Sequence, residues 1–95
     1  MKQQITIEQL NELTPLQKEK LENWVFQNII KTTEKFIPLF SIGQMIWFLE
    51  QDNNLKGFHK GLDDWLVVIH RDGGDFIADE LCDALWKAVI EVLKG

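Results

Sequence analysis

The sequence predicts an α+β fold, mainly helical, with three or four helices and a small two-stranded sheet. Two observations carry the elements. Several segments repeat apolar residues near a period of 3.6 and open on helix-capping signals, and one short run, Trp65-Leu-Val-Val-Ile69, is β-branched and apolar between Asp and Gly. A third sets the scale: 95 residues, 45 % apolar and 26 % charged, suit one globular domain over 1–95 rather than a disordered chain.

Thr6-Ile-Glu-Gln9 has the form of a capping box and opens a short helix to about Leu13. Thr14 caps a second helix, with Pro15 at the first helical position, where its missing N–H costs nothing. Leu16, Leu21, Trp24, Val25 and Ile29 form that helix's apolar stripe, and Lys18, Glu19, Glu22 and Asn23 its wet face. Residues 31–40 carry two Thr and Phe36-Ile37 before Pro38, which reads as an extended segment, with a helix tail as the other reading. A strand near 32–37 is the expected sheet partner. Ser41-Ile-Gly-Gln44 is a second capping-box pattern, and Ile42, Met45, Ile46 and Leu49 share one face of the helix to Gln51. Trp47 and Phe48 fall off that face, which makes them candidate partner contacts. Asp52 to Gly61 reads as a loop, 64–70 as a buried strand, and Asp72-Gly-Gly-Asp75 as a turn. A last helix from about Ile77 to Leu93 has Leu81, Leu85, Ala88, Val89 and Val92 on its main face. Cys82 and Trp86 lie beside it, with Asp83–Lys87 and Lys87–Glu91 as i, i+4 pairs.

The net charge of −5 is localised. Residues 1–40 are neutral, whereas 63–83 hold seven carboxylates against Arg71 alone. Asp72, Asp75, Asp79, Glu80 and Asp83 are candidate partner-binding residues: an acidic face steers a basic partner. The same charges also suit the positive end of the last helix. An acidic chain without a basic patch argues against direct nucleic-acid binding.

Chemistry-bearing motifs are weak. Asp52-Asn-Asn-Leu-Lys56-Gly57, with Asp63 at position 12, resembles an EF-hand loop. However, Lys56 stands where an oxygen ligand belongs and position 12 lacks the bidentate Glu, so a plain turn is the reading. His59 and His70 have no helical metal partner. Cys82 is a lone thiol near acids that raise its pKa. His70-Arg71-Asp72 lacks every other part of a kinase, and Gly73-Gly74 lies between acids that repel phosphate. Asp63 and Asp64 read as a solvated strand start. No cofactor or metal site and no enzyme activity is expected. One Cys and no apolar signal or membrane-spanning stretch place the chain in the cytoplasm, away from membranes.

Phe36-Ile-Pro-Leu-Phe-Ser-Ile-Gly-Gln-Met-Ile-Trp-Phe-Leu49 and Glu80-Leu-Cys-Asp-Ala-Leu-Trp-Lys-Ala-Val-Ile-Glu-Val-Leu93, with the opening Thr6-Ile-Glu-Gln-Leu and Thr14-Pro-Leu-Gln, resemble small uncharacterised proteins of Gram-positive bacteria and their prophages. The resemblance covers about half the chain and implies a phage or mobile-element setting, with no activity and no site residues. Those proteins tend to carry a charge where this chain has Trp47. The expected function is a non-enzymatic protein-interaction module with a protein partner or a second copy of itself. The alternative is an acidic inhibitor that mimics nucleic acid toward a host nucleic-acid-binding or defence protein.

Overall fold

The first three helices each open on a reciprocal cap between a hydroxyl residue and a glutamine three positions on. Thr6 accepts from the Gln9 backbone N–H and Gln9 Oε1 accepts from the Thr6 N–H, at 3.2 and 3.0 Å, opening α1 (Ile7–Leu10). Thr14 and Gln17 repeat the exchange at 3.2 and 2.9 Å before α2 (Pro15–Asn28), and Ser41 and Gln44 at 3.2 and 2.9 Å before α3 (Ile42–Gln51). The computed structural model describes residues 2–28, 39–51, 53–70 and 74–94.

Asn53 ends α3. It takes φ 56°, its N–H reaches the Glu50 carbonyl, and the Asn54 N–H reaches the Leu49 carbonyl at 2.9 Å. That is a left-handed cap of the Schellman type, with Asn in the glycine role. The chain then enters β1 (Leu55–Lys60), not a loop. An EF-hand loop would need these residues coiled around an ion, and here they are extended in a sheet.

Strands β1, β2 (Trp65–Ile69) and β3 (Asp75–Ala78) form a three-stranded antiparallel sheet in the order β1-β2-β3. This corrects the expected two strands. The proposed partner near 32–37 lies outside the described residues, and both edges of β2 are already taken. Phe58 pairs with Val67 and Val67 with Phe76, whereas His59 pairs with Leu66 and Leu66 with Ile77. Paired residues share a face, so Val67, Ile69, Trp65 and Phe76 turn to the core, and Leu66, Val68 and Ile77 turn away.

Helix α4 (Leu81–Lys94) is central. The strands β2 and β3, together with α2 and α3, pack around it, and Cys82, Ala84, Leu85, Trp86, Ala88 and Val89 are buried. It begins at Leu81 rather than Ile77, because Asp75–Ala78 is the third strand. The N-terminal segment completes the core. Ile5 N–H reaches the Phe40 carbonyl at 2.9 Å, Ile42 N–H reaches the Gln3 carbonyl at 3.0 Å, and both Ile5 and Phe40 are buried. In α2 the expected stripe holds at Leu21, Trp24 and Val25 and, among the described residues, fails only in the first turn. Gln17, Leu21 and Val25 face inward and Leu16 is 61 % exposed. The cap draws Gln17 to the buried side.

Candidate functional site

Helix α4 and the strand before it bring the acidic residues to different places. Asp75 lies on β3, exposed on the sheet face away from α4. Asp79 is exposed just after β3, and Glu80 precedes α4 and accepts the Asp83 and Ala84 N–H groups through its carbonyl, each at 3.1 Å. Asp83 is in the first turn of α4. Asp72 lies outside the described residues.

Two of these carboxylates are occupied from within the chain. The Lys2 backbone N–H donates to Glu80 Oε2 at 3.2 Å, and its ammonium donates to Asp83 Oδ1 at 2.7 Å. The same ammonium donates to Gln9 Oε1 at 2.7 Å, and Gln9 Nε2 donates to Asp83 Oδ1 at 2.8 Å. Gln9 therefore caps α1 and ties it to α4. Burial works to raise the Asp83 pKa, but hydrogen bonds from Lys2 and Gln9, with the charges of Lys2 and Lys87, overcome it and hold the carboxyl below its ordinary value. The expected Asp83–Lys87 pair is replaced: Asp83 takes Lys2, and Lys87 donates to the Ile77 carbonyl at 2.8 Å.

Around these contacts runs an open groove of about 630 Å³ over the outer flank of α4. Lys2, Gln9 and Glu12 form one wall, and Asp64 with Ile77, Ala78 and Asp79 the other. Asp83, Trp86, Lys87 and Ile90 form the floor. Trp86 is buried, and its indole N–H has no hydrogen-bond partner among the described residues. Most of these lining residues were missed because the groove joins segments far apart in the chain. Two signals pointed toward it: Lys2 is the lone cation ahead of Lys18, and Gln9 is fixed by its cap.

The aromatic candidates divide. Phe48 is 8 % exposed and meets Trp24 edge-on at 5.1 Å, so it is a core residue and not a surface contact. The α3 face toward the core is wide enough to include it, because Met45, Phe48 and Leu49 are buried together. Trp47 stays 41 % exposed with its ring edge-on to Trp24 at 5.4 Å. Trp24 also packs on Phe40 at 5.9 Å.

Cys82 is buried, and its thiol is pushed up to about 11, by burial first and then by Asp83 and Glu80 against the lowering effect of Lys2. A thiol in that state is a poor nucleophile. Among the described residues no group of three His, Cys, Asp or Glu side chains could hold a metal ion, and no helix is long and apolar enough to cross a membrane. Compared with known proteins, the chain matches no family model, no curated sequence and no solved structure.

Proposed function

We propose that the chain is a non-enzymatic protein-interaction module of phage or mobile-element type, and that its groove over α4 receives a basic, partly apolar segment of another protein. One observation carries this reading. The groove sets Glu12, Asp64, Asp79 and Asp83 against two cations, and both cations are engaged, Lys2 on Asp83 and Lys87 on the Ile77 carbonyl. Uncompensated carboxylates around the apolar Ile77 and Ile90 suit a segment with basic residues beside an aliphatic one. The buried, protonated Cys82 supports a role outside catalysis. The acidic residues lie on two faces, Asp75 apart from Asp79 and Asp83, which favours a groove over a continuous imitation of a phosphate backbone.

The test is a fluorescence titration with short peptides of Lys, Arg and Leu, against the same peptides with Glu at the basic positions. The basic peptides should bind, more weakly as salt rises. Asp79→Lys should weaken them about tenfold, equivalent to about 1.4 kcal/mol. Trp47→Glu should leave them unchanged. Equal binding of acidic and basic peptides, or indifference to Asp79→Lys, would sink the proposal. A nucleic-acid mimic would instead compete with DNA or RNA for a host protein, with a steep salt dependence.

A further inference from the structure

The sheet has a second face that α4 does not cover. Alternation along the strands puts His59, Leu66 and Ile77 in one row across it and Gly57, Val68 and Asp75 in the next. Leu66, Val68 and Ile77 are not among the apolar residues packed against the core, whereas their strand neighbours Trp65, Phe76 and Ala78 are. Ile77 is 55 % exposed. At Gly57 a Cβ would meet nothing within 4 Å, which leaves a hollow beside Val68. His59 and Asp75 stand at opposite corners of the patch, and neither side chain has a hydrogen bond or ion pair among the described residues.

We infer that this face binds a second copy of the chain as a two-fold dimer. Charge complementarity selects that occupant. A two-fold axis in the interface, set across the His59–Asp75 diagonal, places His59 of each copy over Asp75 of the other. The same operation brings Leu66 and Ile77 against their counterparts and Val68 over the hollow at Gly57. From ordinary strand spacing and rise, the two sets of strands then cross at roughly 70°, near the orthogonal class of sheet packing. The patch comprises six positions on three strands, fewer than the roughly 20–30 residues a side of a standard interface, so the dimer is weak, with dissociation in the micromolar-to-millimolar range.

Sedimentation across a concentration series from about 10 μM to 1 mM tests it in the full chain. The wild type should shift from monomer to dimer. His59→Glu sets carboxylate against carboxylate and should raise the dissociation constant about tenfold. The double change His59→Glu/Asp75→Lys should restore it. Within one chain these residues are separated by β2, about 12 Å apart, so the rescue has no intramolecular explanation. Both positions are exposed, so the test does not depend on disturbing the core. Ile77→Glu should abolish the dimer, with circular dichroism confirming the fold. A wild type that stays monomeric to 1 mM, or a double variant as weak as His59→Glu alone, would overturn the inference. Asp75 and His59 do not line the groove, whereas Ile77 does, so the charge-swap rescue and not the Ile77→Glu variant separates this inference from the peptide titration.

Discussion

Cys82 and Asp83 are neighbours on α4 with opposite electrostatics, and their surroundings explain why. The Cys82 thiol is enclosed, and burial penalises its thiolate so that the group is pushed up to about 11. Its pKa is raised in the fold, so the fold favours the neutral thiol. Stability should fall as pH rises from about 9, where the unfolded thiol ionises, and the loss is complete by about 11. A thiol reagent at pH 8 should react with the native protein only as fast as the chain opens, and at once in denaturant; rapid native labelling would contradict the burial. Asp83 is the reverse case. Its carboxyl is held below its ordinary value of 3.8, so its stabilising effect is present above that pH and is lost as pH falls through the lower folded value. Urea midpoints of wild type and Asp83→Asn should therefore differ at pH 7 and converge below about pH 4. A difference that persists unchanged into acid would mean that Asp83 acts by packing and not by charge.

At the scale of the element, the caps are the strongest local determinants, and they were the most legible part of the sequence. Thr6 and Ser41 were readable as helix starts because a hydroxyl and a glutamine three positions on satisfy two backbone donors with no help from the rest of the chain, and Thr14 because a capping hydroxyl precedes Pro15. Thr14→Ala should cost about 1 kcal/mol in a urea melt. Leu16→Gln, at the second position of the same helix, should stay within about 0.5 kcal/mol, because Leu16 is exposed although its spacing suggests core. A larger loss at Leu16 than at Thr14 would restore the stripe read from sequence. β1 was not legible. Lys56, Gly57, His59 and Lys60 carry little strand propensity, and the strand exists because β2 offers it an edge. β3 was hidden for a related reason: in four residues, Phe76 and Ile77 continue the apolar pattern of the helix that follows. The acidic site was half legible. Its charge was countable, but which carboxylates are free depends on Lys2, which lies 81 residues from Asp83.

For the whole molecule, the N-terminal segment joins core and groove through two separable residues. Ile5 is buried beside Phe40, and their backbone bond fixes the segment against the entry to α3. Lys2 sits at the rim, where its ammonium occupies Asp83 and Gln9. Truncating a buried aliphatic side chain removes contacts that the surroundings cannot fully replace, so Ile5→Ala should cost about 2–5 kcal/mol. Lys2→Ala removes a partly exposed ion pair and should cost no more than about 1 kcal/mol. Its effect on binding should have the opposite sign to its effect on stability. Without the resident ammonium, Asp83 is free to receive a cation from outside, and the groove gains one net negative charge. Basic peptides should then bind several-fold more tightly to Lys2→Ala than to the wild type, with a steeper salt dependence. A parallel titration of the two proteins at low and high salt decides the point. Weaker binding by Lys2→Ala would mean that Lys2 shapes the groove for its partner rather than competing with it, and that the carboxylate receiving the basic segment is Asp79 or Asp64 instead of Asp83.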